Sequence, residues 1–237
     1  MPKRRRRVLQ LSASAVAAAV AGCAQLGTTP DDDGGDDADD TDPTDTTDPG
    51  DGTTAGGGTP TARAEKLSPE DLSPPVAGAD DASVTVTVFE DLRCPHCRDF
   101  HDEVVPQLRS EYVDAGDVKM VHRDFPVVNQ WSVLYALGGR SVQAQVNDEG
   151  FFSYLDTVFA RQAEQSESLI RDAAAEGWAD PETTITDVNE ETYRPTVESD
   201  QSAGGERGVN STPTVFVGDS EVAGTYDAVA SAVDERL

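Results

Sequence analysis

Residues 83–97 read Ser-Val-Thr-Val-Thr-Val-Phe-Glu-Asp-Leu-Arg-Cys-Pro-His-Cys. The β-branched residues and the alternation of Val and Thr over 83–89 predict a strand. A helix is expected directly after the CxxC motif, because apolar residues then recur at three- and four-residue spacing from Cys97 to Tyr112. A CxxC pair that lies between a strand and a helix is typical of a redox-active dithiol.

The order of residues within this motif predicts different chemical roles for the two thiols. Pro95 suits the first helical position, because it has no N–H group to leave unpaired. Cys94 then occupies the N-cap, where the free amides and the helix dipole favour the thiolate, which is the nucleophile of disulfide exchange. Cys97 lies one turn further in, where it is expected to be more buried and to resolve a mixed disulfide. A protonated His96 would stabilise the Cys94 thiolate further and make the disulfide more oxidising.

The rest of the chain alternates between strand and helix patterns. The expected elements are a strand over 118–125, helices over 131–207, strands over 213–217 and 221–223, and a closing helix over 226–237. Pro106 is expected to kink the helix after the motif, Gly177 to end one later helix and Pro181 to begin another, whereas 187–207 is ambiguous. This order predicts an α/β domain with a helical insertion.

The first 23 residues have the composition of an export signal. Lys3 and four arginines precede an apolar run that is too short to span a bilayer comfortably. The stretch 5–9, Arg-Arg-Arg-Val-Leu, resembles a twin-arginine signal. The stretch 20–23, Val-Ala-Gly-Cys, resembles a lipobox, which implies lipid attachment at Cys23 and a place on the outer face of the cytoplasmic membrane. The alternative is an ordinary signal peptide with an incidental cysteine.

Residues 24–66 consist mainly of Asp, Thr, Gly and Pro and carry almost no apolar side chains. Such a segment cannot offset its ordering entropy, so we expect a disordered tether ahead of a folded domain over 67–237. The run at 31–33, Asp-Asp-Asp, lacks the spacing of a calcium loop.

The chain is strongly acidic, with a formal net charge of −27. Residues 65–237 alone hold 34 acidic and 12 basic residues, a net charge of −22. This balance argues against electrostatic binding of nucleic acid, which needs clustered Lys and Arg. It resembles proteins of salt-loving archaea, whose dense carboxylates keep the surface hydrated. The alternative is an acidic soluble protein whose composition has no connection with a salt-rich habitat.

Two motifs together resemble the DsbA-type thiol:disulfide oxidoreductases. Residues 89–97 are similar to the active-site segment of that family, and 211–217, Ser-Thr-Pro-Thr-Val-Phe-Val, are similar to its cis-proline loop. Cys97 and Pro213 lie 116 residues apart, which accommodates a helical insertion over about 129–207. The resemblance implies a thioredoxin-like fold, a cis peptide bond before Pro213, and a Thr212 backbone that pairs with an extended substrate segment.

One position departs from the family pattern. The family usually has a buried acid six residues before the first cysteine, as a proton acceptor for the resolving thiol, and this chain has Val88 there. Glu90 replaces that acid if the end of the strand turns its side chain inward. We expect instead that Glu90 and Asp91 are exposed loop carboxylates, in which case water accepts the proton.

Metal binding and a purely structural disulfide are the alternatives for the CxxC motif. A structural zinc site usually needs four ligands, and with Cys23 lipidated only His101 and His122 remain to complete one. Their spacing matches no zinc pattern, so we expect both to be ordinary surface or packing residues and no metal to bind.

The sequence therefore predicts an exported oxidase that introduces disulfides through Cys94 and Cys97, with no cofactor beyond their disulfide. The expected partners are exported protein thiols, an unidentified redox protein, and the membrane through the lipid anchor, but no nucleic acid. A disulfide reductase or isomerase of the same fold is the alternative within this class. Outside it, the alternatives are a non-catalytic lipoprotein binding module and a metallochaperone.

Overall fold

The computed structural model describes residues 66–237. The expected export signal, including Cys23, and nearly all of the expected tether lie outside the described residues. Within residues 66–237, no helix combines the length and the apolar character needed to cross a bilayer.

A five-stranded mixed sheet forms the centre of the domain. Its strands are β1 (Val76–Ala77), β2 (Val84–Glu90), β3 (Val118–Asp124), β4 (Thr214–Val217) and β5 (Ser220–Val222), in the spatial order β1-β3-β2-β4-β5. The central strand β2 pairs parallel with β3 and antiparallel with β4. The Val–Thr alternation predicts one buried face, but six of the seven β2 residues are buried, Thr87 among them. The sequence pattern therefore underestimated how completely the central strand is covered.

Eight α-helices accompany the sheet in the described part of the chain. They are α1 (Pro95–Glu103), α2 (Val105–Leu108), α3 (Gln130–Gln145), α4 (Asp148–Ala160), α5 (Glu167–Glu176), α6 (Pro181–Asn189), α7 (Arg194–Glu206) and α8 (Tyr226–Asp234). Helices α3 to α7 lie between β3 and β4, which confirms the predicted thioredoxin-like α/β fold with a helical insertion. Gly177 is the C-cap of α5, and Pro181 lies in the first turn of α6, as predicted.

The ambiguous segment 187–207 contains the end of α6 and all of α7. Pro195 lies in the first turn of α7, where a missing N–H costs no hydrogen bond. Gly204 lies in its last turn, where an added Cβ would come within 2.7 Å of the Phe125 ring. Close packing against Phe125 therefore explains a glycine that would otherwise weaken the helix.

The helix after the CxxC motif is interrupted close to the predicted kink. α1 ends at Glu103, α2 begins at Val105 with Pro106 in its first turn, and a π-helical turn continues over Arg109–Val113. Phe100, Leu108 and Tyr112 are nevertheless all buried, so the apolar face continues across the break.

The apolar interior forms two main clusters, and α1 contributes to both. The first joins the helical insertion to the active-site segment and includes Leu92, Cys97 and Phe159. The second lies between the sheet and α8 and includes Phe100 and Val229. The CxxC motif therefore lies where the insertion packs against the thioredoxin-like half.

Candidate active site

Cys94 is the N-cap of α1. Its backbone is extended, Pro95 follows in the first turn, and the backbone N–H groups of Cys97 and Arg98 both donate to the Cys94 carbonyl oxygen. The free amides at this end of the helix favour a negative charge on the Cys94 sulfur. The local sequence and the observed backbone therefore agree on which thiol lies at the helix start.

The surroundings of Cys94 stabilise its thiolate. The hydrogen bond with the Cys97 side chain is the largest effect and lowers the Cys94 pKa, whereas burial raises it. Further contacts with Thr212 and with the backbone of Cys97 and His96 lower it again, and the resulting pKa is about 5. At neutral pH this thiol is ionised and ready to attack a disulfide.

Cys97 lies in the opposite environment. Its side chain is completely buried, and the Asp91 N–H donates to its Sγ at 3.4 Å. Burial is the main cause that raises the Cys97 pKa well above its usual range, and the hydrogen bond with Cys94 and the charge of Glu90 act in the same direction. Cys94 and Cys97 are not joined by a disulfide in this structure, which therefore describes the reduced state.

The Thr212–Pro213 loop lies against the Cys94 sulfur. The peptide bond between these two residues is cis, in agreement with the family resemblance. Sγ of Cys94 lies 3.3 Å from the Thr212 carbonyl oxygen. The structure thus brings together the two motifs that lie 116 residues apart in the sequence.

His96 reaches Cys94 through its backbone rather than its ring. The ring is largely exposed, and its Nδ1 lies 4.0 Å from Oδ2 of Asp99. The His96 contribution that lowers the Cys94 pKa is a hydrogen bond from its backbone. The expected electrostatic role of the ring is therefore not what stabilises the thiolate in this geometry.

The expectation that Glu90 and Asp91 are exposed is wrong, since they are only 5% and 1% exposed. Glu90 is the last residue of β2 and pairs with Asp124 of β3, so the strand continues further than an exposed loop allows. Side chains alternate along a strand, which places Glu90 on the same face as Val88. The strand end therefore turns Glu90 inward, two residues along from the usual acid position.

Asp91 is buried as a hydrogen-bond acceptor for two loops. Its Oδ1 accepts from the Arg93 N–H at 2.7 Å, and its Oδ2 accepts from the N–H groups of Val127 and Val128 at 2.7 and 2.8 Å. These bonds join the segment before Cys94 to the loop that follows β3.

His122 was expected to be an ordinary surface or packing residue; its ring does pack on Phe151, with centroids 5.0 Å apart, and it also pairs with two carboxylates. It is buried, with Nδ1 3.2 Å from Oε2 of Glu90 and Nε2 3.2 Å from Oδ1 of Asp124. Asp124 also accepts from Nε of the buried Arg140 at 2.6 Å, and Arg140 pairs in turn with Asp200. Sequence reasoning missed Asp124, Arg140 and Asp200; a single arginine within the apolar pattern over 130–145 was the available signal.

His101 lies elsewhere on α1. Its ring packs on Phe159 with centroids 4.7 Å apart, and its Nε2 lies 2.9 Å from Oδ1 of Asp156. Within residues 66–237, no group of three or more His, Cys, Asp or Glu side chains is arranged to hold a metal ion.

Comparison with known proteins agrees with this site. A family model described as Thioredoxin matches residues 70–235. Disulfide bond formation protein D of Bacillus subtilis is 27% identical over 171 residues, which cover 69% of this chain and 77% of that protein. The crystal structure of oxidised BdbD from Bacillus subtilis has a TM-score of 0.65 at 27% identity and covers 69% of this chain and 92% of that chain.

A more distant structure shares the fold. DsbA of Chlamydia trachomatis has a TM-score of 0.62 at 20% identity, with 68% of this chain and 88% of that chain covered. The family match spans more than half of the chain and includes both the CxxC motif and the cis-proline loop. The chain therefore belongs to the thioredoxin family and is a DsbA-like thiol:disulfide oxidoreductase.

Proposed function

We propose that this protein is an exported, lipid-anchored oxidase that introduces disulfides into exported proteins through Cys94 and Cys97. The observation that carries the direction is the contrast between the two thiols. A Cys94 pKa of about 5 stabilises the dithiol state relative to the disulfide. A disulfide whose reduced form is stabilised in this way is a strong oxidant.

The proposed reaction is two thiol exchanges. A substrate thiolate attacks Sγ of Cys94 in the disulfide state, the Cys94–Cys97 bond breaks, and its electron pair passes to Cys97, which takes up a proton. The second substrate thiolate then attacks the substrate sulfur of the mixed disulfide and expels Cys94 as a thiolate. The substrate loses two electrons, and the protein gains them. A separate disulfide-carrying redox partner must remove those electrons before the next cycle.

The remaining site residues take supporting roles in this proposal. The Thr212 backbone and Pro213 bind an extended substrate segment beside Cys94, consistent with the 3.3 Å contact between Cys94 and Thr212. Pro95 and His96 tune the N-cap thiol. Glu90 accepts the Cys97 proton when the dithiol is reoxidised, and no cofactor is needed beyond the disulfide.

Export and anchoring are supported by the sequence of the first 66 residues. Within 1–23, a twin-arginine-like stretch precedes the lipobox-like stretch that ends at Cys23, and 24–66 would tether the anchor to the domain over 67–237. The Bacillus relative is named a disulfide bond formation protein, and disulfides persist mainly outside the cytoplasm. The acidic composition supports a salt-rich habitat.

Redox titration of the Cys94/Cys97 couple in high salt tests the proposed direction. We expect a reduction potential clearly less negative than roughly −270 mV, the value of thioredoxin. A potential at or below that value would assign the protein as a reductase or isomerase. A purified protein that shows no dithiol–disulfide cycling would be a binding module or metallochaperone instead.

Substitution of Cys23 by serine tests the anchor. We expect Cys23→Ser to release the protein from the membrane fraction. Its reduction potential should stay unchanged, because Cys23 is not part of the domain over 67–237 that holds Cys94 and Cys97. The wild-type chain, fractionated in parallel, is the control. A variant that remains membrane-bound would show that the N-terminal segment itself, rather than a lipid on Cys23, holds the protein.

A further inference from the structure

We infer that Gln162 is a positioning residue of the thiol exchange: its side-chain amide holds the backbone at Leu92 and Cys94, so that the first N–H groups of α1 face the Cys94 sulfur. This inference rests on the proposed function and deepens it, because it assigns part of the oxidising strength of the CxxC motif to the helical insertion.

The inference begins with the two hydrogen bonds of the Gln162 side chain. Gln162 lies two residues after the end of α4 and is only 5% exposed. Its Nε2 donates to the carbonyl oxygen of Leu92 at 3.1 Å and to that of Cys94 at 2.9 Å. Both acceptors are carbonyl oxygens, so the amide nitrogen, with its two N–H donors, is the end of the side chain that faces them. One buried side chain of the insertion therefore holds the backbone on both sides of Arg93.

The other hydrogen bonds of this segment hold its N–H groups. Oδ1 of Asp91 accepts from the Arg93 N–H at 2.7 Å, and the Asp91 carbonyl oxygen accepts from the Cys94 N–H at 2.9 Å. The Arg93 side chain does not add to this, because its Nε and Nη1 have no hydrogen-bond partner among residues 66–237. Gln162 thus complements Asp91: one side chain accepts from an N–H group of the segment, and the other donates to its carbonyl groups.

The Cys94 carbonyl oxygen is also the acceptor on which α1 begins. It accepts from the N–H groups of Cys97 at 3.1 Å and Arg98 at 3.2 Å, and Gln162 is a third donor to the same oxygen. In N-cap geometry, the amides two and three residues further on face the cap side chain. Those residues are His96 and Cys97, whose backbone N–H groups lower the Cys94 pKa. Gln162 therefore acts on the Cys94 sulfur through the backbone that it holds.

The helical insertion contacts α1 at a second place. His101, in the last turn of α1, packs on Phe159 of α4 with ring centroids 4.7 Å apart. Its Nε2 lies 2.9 Å from Oδ1 of Asp156, also in α4. His101 is seven residues after Cys94, which is about two helical turns. The insertion thus holds α1 at both ends, and Gln162 supplies the contact at the end that carries the reactive thiol.

Loss of the Gln162 amide would change this geometry without changing a charge. The cis-proline loop over 209–214 contains no titratable side chain. The titratable side chains of the other segments at this contact are Asp91, Arg93, His96, Cys97, Tyr135, Arg161 and Glu164. A substitution at Gln162 by a neutral residue leaves all of them in place. A change in the ionisation of Cys94 would therefore report the position of the backbone.

The test compares Gln162→Met with the wild-type full-length protein. Methionine has a similar length but no N–H donor, so both hydrogen bonds are lost. The first measurement is the pH dependence of the Cys94 thiolate absorbance, whose midpoint in the wild-type protein is near pH 5. We expect the midpoint to rise by about one pH unit, because the first N–H groups of α1 no longer face the sulfur as closely.

The second measurement is the equilibrium with glutathione, in which two glutathione thiols reduce the Cys94–Cys97 disulfide and form one glutathione disulfide. A thiolate that is stabilised about tenfold less makes the dithiol state about tenfold less favoured at pH 7. The reduction potential should then be more negative by about 30 mV. Gln165→Met is the matched control and should leave both measurements unchanged. Gln165 lies in the same loop but is exposed and contacts Asn129.

A role of Gln162 in stability alone gives a different result. It would lower the Tm of the reduced and the oxidised protein equally and leave the thiolate midpoint and the potential unchanged. That result, or an equal shift in Gln165→Met, would overturn this inference alone. A wild-type potential at or below that of thioredoxin would overturn the proposed direction, whereas the difference between wild type and Gln162→Met would still decide the role of Gln162.

A measurement on the wild-type protein keeps the inference testable if Gln162→Met does not fold. Proton NMR of the Gln162 side-chain amide reports whether its N–H groups are bonded. We expect these protons to exchange slowly with water and their shifts to follow the ionisation of Cys94, with a midpoint near pH 5. Amide protons that exchange freely, or that do not respond to this ionisation, would contradict the assigned role.

Discussion

At the scale of single residues, one helical turn separates two thiols of opposite character. Cys94 lies at the start of α1, where several hydrogen bonds stabilise its anion. Cys97 lies in the first apolar cluster, where burial opposes ionisation. The same turn therefore places a readily ionised thiol at one position and a protonated thiol at the other.

The Cys97→Ser variant should accumulate mixed disulfides on Cys94. Without the resolving thiol, the intermediate can be released only by a further external thiol. Non-reducing gels of membranes should show adducts that disappear on reduction. The double variant Cys94→Ser/Cys97→Ser is the control and should show none. If the single variant forms no more adducts than the double variant, Cys94 does not exchange disulfides with cellular proteins.

At the scale of elements, Asp91 joins the segment before α1 to the loop that follows β3. Its carboxylate accepts hydrogen bonds from one backbone N–H before the helix and from two in the loop after β3. Hydrogen bonds to a charged acceptor are among the stronger ones in proteins. The position of the CxxC motif thus depends on a side chain that contacts neither substrate nor disulfide in the proposed reaction.

Replacement of Asp91 by alanine should lower the free energy of unfolding by about 2–4 kcal/mol, because three backbone donors lose a charged acceptor. Asp91→Asn should cost less, since it retains a neutral acceptor oxygen. Urea denaturation of the reduced protein measures both variants. Asp99→Ala removes an exposed acid of α1 and should change stability by no more than about 0.5 kcal/mol. An Asp91→Ala variant as stable as Asp99→Ala would contradict this role.

At the scale of the whole molecule, an acidic surface surrounds an interior whose charges are largely paired. Residues 65–237 carry a net charge of −22. A chain of ion pairs, buried except at its last member, holds equal numbers of acids and bases: Glu90, His122, Asp124, Arg140, Asp200 and Arg123. Salt screens exposed charges far more than buried ones. The surface repulsion should therefore respond to ionic strength, and the buried chain should not.

Thermal stability should increase with salt. Raising potassium chloride from about 0.1 M to about 2 M shortens the screening length from about 10 Å to less than 3 Å, which weakens repulsion among surface carboxylates. We expect the Tm of the reduced protein to rise by several degrees. Sorbitol at the same osmolality is the control and should raise the Tm less. A Tm that is constant or falls with salt would contradict the expected adaptation to a salt-rich habitat.

The elements and the redox motif follow from short-range signals in the sequence. Residue patterns predict β2 and α1, Gly177 and Pro181 mark helix ends, and the two signatures imply that Pro213 faces Cys94. These predictions succeed because propensity, capping and a missing N–H act within a few residues of each other. The short strand β1 was missed, since two residues carry too little pattern.

The buried charges beside the site were decided only by the tertiary structure. Glu90 and His122 are 32 residues apart, and Arg140 and Asp200 are 60 apart, so no local pattern relates them. Whether a carboxylate at the end of a strand is exposed depends on which distant side chains can neutralise it. Burial of Glu90 is compensated by His122 of the neighbouring strand, and burial of Asp124 and Asp200 by Arg140 of the helical insertion. The sequence by itself determined the thiols and their order; the fold determined which groups surround them.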